Sequence, residues 1–318
     1  MRDMLGSLAM SRVSVVIPVF NGAATVGGAI ESVLAQRFDG AVEVIVVNDG
    51  STDASAEILR GFGDRISVID QPNRGAAAAR NAGAAAGHGE YLAFLDADDA
   101  WLPHKLAATI RLLDRNPAVV LVFCDAIPVD AGGAPMRESY VTPDCAHAPT
   151  MAEMLERWWP IIPSTAVMRT TTFNACGGFV EEFRSAAYED PYLFLVAREQ
   201  GEFAYVPERL VHYRYESPGA RMEKYVRYRE VFIRRVRERY GDAARGLIRG
   251  TRRAYASALG YEGLRAMQSG DMMAARRYFA RALRERPLDL KTAMRFARTF
   301  LPLRLARALS GRTGGSSA

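Results

Sequence analysis

The chain is poor in cysteine and has no long apolar run. Its three cysteines, Cys124, Cys145 and Cys176, are far apart and show no metal-ligand spacing. This argues against a disulfide framework and favours a reducing compartment. No apolar run approaches the roughly 20 residues of a membrane-spanning helix, and the first ten residues are too weakly apolar for a signal peptide. We therefore expect a cytoplasmic protein.

The glycine-rich signatures of common nucleotide-binding folds are also missing. No Gly-x-Gly-x-x-Gly follows a predicted strand, and there is no Gly-x-x-x-x-Gly-Lys loop. These absences argue against a dinucleotide-binding enzyme and a P-loop NTPase. The glycine- and arginine-rich loop of sugar nucleotidyltransferases is absent after the first predicted strand, where Phe20-Asn21-Gly22 stands instead.

Lysine is rare, and the basic residues are unevenly distributed. Arginine makes up 38 of the 41 basic residues throughout the chain, so its abundance alone does not indicate phosphate recognition. Residues 1–219 carry a net charge of −11, whereas residues 220–318 carry +16. This asymmetry predicts two units with different roles. We place the boundary near Ser217-Pro218-Gly219, between domains over residues 1–218 and 219–318.

Short apolar runs alternate with helical patterns in the first part of the chain. Strands are predicted over residues 13–19, 42–47, 66–69, 91–95, 119–124, 165–168 and 203–206. Helices are predicted over residues 23–37, 73–87, 103–115 and 191–200, with a loop over 126–150. A further helix is predicted to end at Arg60, and Ser51, Thr52 and Asp53 are its expected N-cap residues. This order is typical of an α/β fold with a mostly parallel sheet flanked by helices. From Met222 onward the pattern is helical, with breaks near Gly241, Gly270 and Pro287.

Three carboxylates follow the fourth predicted strand within four positions. They are Asp96, Asp98 and Asp99, directly after the apolar run Tyr91–Leu95. Like charges this close repel each other unless a cation neutralises them. Open α/β sheets bind ligands at the carboxyl ends of their strands. The cluster therefore predicts a divalent-metal site; the alternatives are a solvated loop and, for Asp99, a cap of the helix entered at Pro103.

Four segments in chain order carry a resemblance to a known family. They are Val13–Asn21, Val46–Asp53, Asn73-Arg74-Gly75 with Ala79-Arg80-Asn81, and Asp96–Asp99. Together they resemble family 2 glycosyltransferases, an inverting family with the GT-A fold, over roughly residues 12–215. The resemblance implies a GT-A Rossmann-like sheet, followed here by an all-α C-terminal region. It also implies metal-dependent transfer of a sugar from a nucleotide-sugar donor, expected to be UDP-linked, to a hydroxyl of a surface polysaccharide or glycolipid.

The same resemblance assigns residues to the donor. Asp49 would accept a hydrogen bond from the nucleobase, and Phe20 would stack against it. The alternative for Asp49 is a tight turn only, and for Arg80 an exposed position on a helix. The donor-binding residues implied by the resemblance are Pro18, Phe20, Asn21, Asp49, Arg74, Arg80, Asp96 and Arg214.

A metal site is also implied by the resemblance. Asp98 would bind Mn²⁺ or Mg²⁺, and Asp96 would face the ribose or the water shell of the metal. His212 is a candidate third ligand, with a structural role as its alternative. The metal would stabilise charge on the leaving nucleoside diphosphate.

An acidic pair follows the segment Gly177-Gly178-Phe179, as it does in the family. The resemblance makes Asp190 the base that removes a proton from the acceptor hydroxyl, and Glu189 the neighbour that orients it. The alternative is that Asp190 caps the helix begun by Pro191.

The basic C-terminal region has several interpretations. Residues 256–289 resemble one tetratricopeptide unit, with Gly263 and Phe279 at its small and aromatic positions, although a plain helical hairpin fits equally. The positive charge favours peripheral association with the inner face of a membrane carrying a lipid-linked acceptor. Arg234, Arg235, Arg237 and Arg239, with a helix over residues 296–309, are expected to form a basic amphipathic face.

Alternatives remain for the tail and for the whole chain. The basic helices would dock on the acidic domain or on an acceptor polysaccharide, would bind nucleic acid, for which no specific motif is present, or would simply be solvated helix faces. A non-catalytic binding or scaffold protein with a degenerate GT-A domain is the alternative to an enzyme.

Overall fold

The computed structural model describes residues 12–184, 188–215 and 222–300. The chain divides into two compact units, Met1–Tyr215 and Glu216–Ala318. The predicted boundary at Ser217-Pro218-Gly219 itself lies outside the described residues.

A mixed sheet forms the centre of the first unit. Its strands in the described residues are β1 (Val13–Val19), β2 (Val42–Asp49), β3 (Ser67–Gln71), β4 (Tyr91–Phe94), β5 (Ala100–Trp101), β6 (Val119–Val129), β7 (Ala166–Arg169) and β8 (Glu202–Arg214). Their order across the sheet is β3-β2-β1-β4-β7-β6-β8-β5. The first four strands pair in parallel, and β7 is antiparallel to both β4 and β6. The predicted α/β fold is confirmed.

Helices connect and cover these strands. They are α1 (Val26–Leu34), α2 (Ser55–Arg60), α3 (Ala76–Ala86), α4 (Lys105–Arg115), α5 (Met151–Glu156), α6 (Thr170–Ala175) and α7 (Glu189–Gln200). The two-residue β5 and the six-residue α5 and α6 are too short to produce a readable period. The loop predicted from residue 126 begins later, because β6 continues to Val129 in parallel pairing with β8.

The strand order brings three loops to one edge of the sheet. The strands β1 and β4 are almost fully buried and apolar, as expected for parallel strands covered on both faces. They run in the same direction as β2, which pairs with β1. The segments that follow β1, β2 and β4 therefore leave the sheet at the same edge. All four segments that carry the family resemblance lie in or beside these connections.

A buried lysine begins α4. The Lys105 side chain is fully buried, and its Nζ has no hydrogen-bond partner among the described residues. The Nζ lies 3.8 Å from the centroid of the Trp101 ring, a contact that favours the charged form. Burial outweighs the opposing effect of Cys124 and lowers the pKa of Lys105 to about 7.

We expect Lys105→Met to stabilise the protein and to flatten its pH dependence. The unfolded chain keeps this lysine protonated to about pH 10, whereas the folded protein releases the proton near pH 7. Wild-type stability should therefore rise between these pH values, since the unfolded state binds more protons. Because methionine has no charge to bury, the variant should gain about 2 kcal/mol or more in the free energy of unfolding at pH 7.

Urea denaturation at several pH values between 6 and about 10 measures this effect. Lys291→Met is the matched control, because Lys291 is exposed on the last described helix. A Lys105→Met variant with the wild-type pH slope would contradict the assignment.

The second unit is helical, as predicted. Its helices in the described residues are α8 (Met222–Tyr240), α9 (Arg245–Ser269), α10 (Met272–Glu285) and α11 (Leu290–Arg298). Gly270 ends α9 in the left-handed conformation, with φ +91°, and the Asp271 side chain caps α10. The breaks near Gly241, Gly270 and Pro287 therefore fall between helices.

The helices α9 and α10 form an antiparallel hairpin. One small core joins Leu259 to Ala282, and another joins Met267 to Phe279. A Cβ added at Gly263 would lie 2.6 Å from the Phe279 ring, so the glycine permits this close approach. The hairpin is confirmed, while its assignment as a tetratricopeptide unit stays a prediction.

Two further expectations for this unit concern membranes. No helix in the described ranges is both long and apolar enough to cross a bilayer. Most of the basic helix predicted over residues 296–309 lies outside the described residues, and α11 ends at Arg298.

Candidate active site

The loops after β1 and β2 are held together by short polar side chains. Asn21 accepts a hydrogen bond from the Thr52 backbone N–H at 2.8 Å and donates its own N–H to Ser51 Oγ at 3.0 Å. Asn21 adopts φ +51°, a conformation that asparagine tolerates better than most residues. The neighbouring Phe20 stays 52% exposed at the mouth of β1, and Pro18 is half-buried within the strand.

The prediction that residues 51–53 cap α2 is wrong in its geometry. The cap position is Ala54, and no side chain caps the helix. Asp53 instead accepts hydrogen bonds from Ala23 N–H and Ser55 N–H, both at 3.0 Å. Local sequence favours a cap at such residues, but the neighbouring loop offers the same unpaired backbone donors.

Asp49, at the end of β2, is buried and accepts three internal hydrogen bonds. The donors are Gln71 Nε2 at 2.7 Å and the backbone N–H groups of Arg74 and Gly75, both at 2.8 Å. Asp49 therefore anchors the turn that leads into α3. A carboxylate has about four acceptor positions, so roughly one remains for a ligand. The alternative of a tight turn is thus part of its role.

The turn before α3 packs against the segment that precedes the acidic pair. Gly75 has φ +93°, and a Cβ at this position would lie 1.7 Å from the backbone oxygen of Arg184. The Arg74 guanidinium pairs with Glu181 at 2.8 Å and is more than half exposed. The predicted donor residue Arg74 therefore faces this neighbouring segment in the structure.

Arg80 is a buried bridge between two acidic segments, and the exposed position considered for it is wrong. Its side chain is 2% exposed. One guanidinium nitrogen pairs with Asp96 at 2.6 Å and another with Glu189 at 3.0 Å. The guanidinium also lies over the Phe179 ring at 5.3 Å. Burial opposes the charge, but Asp96 and Glu189 together raise the pKa of Arg80 above its ordinary value.

Asp99 connects the acidic loop to β8 and does not cap α4. The cap position of α4 is His104, without a side-chain hydrogen bond. The buried Asp99 accepts hydrogen bonds from Ser164 Oγ at 2.5 Å and from Arg214 N–H at 2.8 Å. The Arg214 Nε lies 3.4 Å from the Asp98 carbonyl oxygen. Arg214 therefore holds the backbone of the acidic loop from the end of β8.

The three acids of this loop differ in exposure. Asp98 is exposed, Asp96 is partly exposed, and Asp99 is buried. Burial, with repulsion from Asp96 and Asp98, raises the pKa of Asp99 well above its usual range. This repulsion is the electrostatic condition that a bound cation would relieve.

The structure does not gather the three predicted metal ligands into one group. Across the described residues, no set of three or more His, Cys, Asp or Glu side chains is placed to hold a metal ion. His212 lies on β8 in register with Ala100 of β5. Mg²⁺ commonly uses one or two carboxylates together with substrate phosphates, so Asp98 and Asp96 fit such a site without a third protein ligand.

The acidic pair opens α7, and its two members have different surroundings. Glu189 is buried and accepts hydrogen bonds from Arg80 and from the Tyr188 N–H at 3.1 Å. Asp190 is partly exposed within the first helical turn, so it is not the capping residue. Partial burial and repulsion from Glu189 and Asp96 raise the pKa of Asp190 well above its usual range, against the opposing effect of Arg80.

Several supporting residues were not predicted. Asn81 makes two 2.9 Å hydrogen bonds with the Phe179 backbone and so holds the Gly-Gly-Phe segment beside α3. Gln71 and Ser164 orient Asp49 and Asp99. Gln and Ser occur in many kinds of site, so the sequence gives no reason to select Gln71 or Ser164. Asn81 could have been selected, because it follows Arg80 in one of the segments that carry the family resemblance.

Two adjacent tryptophans, Trp158 and Trp159, could each stack on a sugar ring or belong to the core, and they differ in burial. Trp159 is buried, with its ring 5.0 Å from that of His147. Trp158 is half-buried, with its ring 5.6 Å from that of Tyr188, the residue before the acidic pair. Trp158 is therefore better placed than Trp159 to stack on a sugar ring.

A family model described as "Glycosyl transferase family 2" matches residues 14–179. This range covers the Asp49 turn, the Arg80 bridge and the Asp96–Asp99 loop. The chain belongs to glycosyl transferase family 2. The family is one of transferase enzymes, which does not favour the non-catalytic alternative.

Similar proteins agree with this family assignment. An uncharacterized glycosyltransferase of Nostoc sp. is 42% identical over 112 residues, which are 34% of this chain and 34% of the relative. The matched region spans about a third of the length of this and the next two curated relatives.

Solved structures of Staphylococcus aureus TarS share the fold. The complex of TarS 1-349 with UDP gives a TM-score of 0.54 at 17% identity and covers 96% of this chain and 93% of that one. The complex with UDP-GlcNAc gives 0.54 at 18% identity, with coverages of 93% and 87%. At such identity the match shows the GT-A-type fold alone.

We expect Arg80→Gln to destabilise the protein strongly. The substitution leaves two carboxylates near each other without their buried cation, and breaking a buried ion pair costs about 3–5 kcal/mol. Arg74→Gln is the matched control: it removes an exposed ion pair and should cost no more than about 1 kcal/mol. Urea denaturation of both variants measures the difference. Equal losses of stability would show that the Arg80 bridge does not support the fold.

Proposed function

We propose that the first unit is a metal-dependent inverting glycosyltransferase. It transfers a sugar from a UDP-linked donor to a hydroxyl of a surface polysaccharide or glycolipid. The observation that carries the proposal is the Arg80 bridge, which joins Asp96 of the acidic loop to Glu189 and leaves Asp190 partly exposed beside it. The UDP and UDP-GlcNAc complexes of the similarly folded TarS support the choice of donor.

Asp190 is the proposed catalytic base. Glu189 is already engaged by Arg80 and by backbone N–H, which leaves Asp190 as the acid of the pair with solvent access. An inverting transfer needs one base, which takes the proton of the acceptor hydroxyl as the oxygen attacks the sugar. A carboxylate with a raised pKa is a stronger base than an ordinary one and suits this task.

Asp98 and Asp96 are the proposed holders of Mn²⁺ or Mg²⁺. Asp98 is exposed on the loop. Asp96 pairs with Arg80 through its Oδ1 atom, and its Oδ2 atom does not take part in that ion pair. Their hard oxygens suit either metal. When bound, the metal would supply Lewis-acid stabilisation to the leaving diphosphate. Arg214 supports this loop through the backbone of Asp98, and its guanidinium is a proposed phosphate contact.

The nucleobase is proposed to bind at the mouth of β1 and β2. The remaining acceptor position of Asp49 suits a base N–H, and the half-exposed Phe20 ring offers a stacking surface. Asn21 holds the loop that carries Phe20. Arg80 is proposed as a positioning residue and not a direct donor contact, because its side chain is buried.

The second unit is proposed to bind the inner surface of a membrane. Residues 220–318 carry a net charge of +16. Leu288, between α10 and α11, is 92% exposed, and Leu290, the first residue of α11, is 77% exposed. Basic residues beside exposed leucines are typical of interfacial membrane contacts. A lipid-linked acceptor would be met at such a surface.

We expect the protein to hydrolyse a UDP-sugar slowly in the presence of Mn²⁺ and without an acceptor. Activated donors in such sites can be attacked by water when no acceptor hydroxyl is present. The measurement is release of the nucleoside diphosphate, screened over several nucleotide sugars, with EDTA as the control. If none is hydrolysed and none binds in a calorimetric titration, the proposed donor chemistry is wrong.

Two substitutions are expected to separate catalysis from donor binding. Asp190→Asn removes the base but keeps the shape of the side chain, so transfer should fall by about 10²–10⁴-fold while donor affinity stays within about twofold. Asp98→Ala should instead abolish the Mn²⁺ dependence of donor binding, because it removes a ligand. Single-turnover transfer and donor titrations measure the two effects. Normal transfer by Asp190→Asn would reject Asp190 as the base.

A further inference from the structure

The second unit contains a concave cleft lined mainly by arginine. Its volume is about 560 Å³, and it is formed by the end of α8, the first half of α9 and the end of α10. The arginines that line it are Arg237, Arg245, Arg249, Arg252, Arg253 and Arg286. The abundance of arginine in the sequence does not by itself indicate a binding site. The placement of these six arginines, however, concentrates positive charge around one open space.

The two acids that line the cleft do not balance its six arginines. Asp242 pairs with Arg245 at 2.6 Å, and Glu285 pairs at 2.9 Å with Arg229, which is not a lining residue. Arg286 lies 3.6 Å from Asp289. Four lining arginines, by contrast, make no ion pair within the described part of the chain: Arg237, Arg249, Arg252 and Arg253.

The spacing on α9 places these charges beside one another. Arg249 is three residues before Arg252 and four before Arg253, so their side chains share one face of the helix. Like charges at this spacing destabilise a helix. The unit thus keeps an unneutralised charge cluster beside accessible volume.

Phosphate is the anion that fits this arrangement best. Guanidinium groups present paired N–H donors that match the oxygens of phosphate, often in bidentate contacts. A phosphate ester carries up to about two negative charges and three acceptor oxygens, so it can engage several arginines together. A single carboxylate has one charge and two oxygens and would leave most of the four guanidiniums unpaired.

We propose that this cleft binds phosphate ester groups. A lipid headgroup that ends in a phosphate monoester or a soluble phosphate monoester would present the same chemistry. The exposed Leu288 and Leu290, which follow Arg286 in the chain, favour the lipid source. The inference deepens the proposed membrane role of this unit but does not rest on catalysis by the first unit.

The test compares two variants of the full chain that lose the same charge. Arg249→Gln with Arg253→Gln removes two lining arginines. The control, Arg277→Gln with Arg284→Gln, removes two exposed arginines of α10 that do not line the cleft. Binding of inorganic pyrophosphate is followed by calorimetry and by the thermal midpoint, in EDTA and at constant ionic strength. EDTA prevents metal-bridged binding at the donor site.

Wild type and control should bind pyrophosphate with similar affinity, and the cleft variant at least about tenfold more weakly, since each lost charge-assisted contact is worth more than a factor of ten. Equal weakening of both variants would show diffuse attraction and overturn the site, as would the absence of binding by wild type. Folding of the cleft variant is checked by its thermal midpoint without ligand, and its donor hydrolysis should be unchanged. Failure of hydrolysis in all three proteins would instead concern the proposed catalytic function.

Vesicle flotation identifies the source of the phosphate. Vesicles of phosphatidylcholine alone are compared with vesicles that contain roughly a quarter phosphatidic acid, whose headgroup is a phosphate monoester. Binding of wild type and control to the anionic vesicles, lost in the cleft variant, supports the site and assigns it to lipid. Cleft-dependent pyrophosphate binding without vesicle binding supports the site and assigns it to a soluble ester. Vesicle and pyrophosphate binding that both survive in the cleft variant would overturn the proposal.

Discussion

The buried Arg80 guanidinium is the interaction on which the proposed active site depends. It joins Asp96, after β4, to Glu189, at the start of α7, which lies 109 residues after Arg80 in the sequence. A charge without water around it is costly unless opposite charges and hydrogen bonds replace the solvent. Asp96 and Glu189 replace the solvent around the guanidinium. If the acidic loop and the acidic pair moved apart, Arg80 would lose an ion pair or become exposed to water. The ion pairs thus fix the distance between the two candidate reactive segments.

Burial divides the acids of the site into two groups. Asp49, Asp99 and Glu189 are buried, and each accepts hydrogen bonds from backbone or side-chain donors nearby. These acids hold turns and loops in place. Asp98 and Asp190 retain solvent access at the same sheet edge. A metal ligand and a catalytic base both need an accessible oxygen, so exposure assigns the proposed chemistry to these two where residue type alone does not.

The second unit shows the same separation between composition and placement. Arginine is abundant throughout the chain, and many arginines of the helical unit form ion pairs. The cleft differs because its arginines outnumber its acids. One of these acids, Glu285, pairs with Arg229, which does not line the cleft. Electrostatic potential accumulates where like charges surround a concave surface. The geometry, and not the number of arginines, therefore suggests a ligand.

The sequence alone determined the alternation of strands and helices, the acid cluster at a strand end and the helix breaks near Gly241, Gly270 and Pro287. These features depend on the spacing of apolar residues and on turn-forming residues, and both can be read from residues that are close together in the sequence. Tertiary structure decided that Arg80 is buried, that residues 51–53 bind a neighbouring loop, and that His212 lies in register with Ala100. The family resemblance pointed to Arg80 and His212 but did not reveal their surroundings. Those surroundings depend on partners that are far away in the chain. The cost of desolvating a charged side chain and the energy gained by pairing it are set only when the fold brings these partners together.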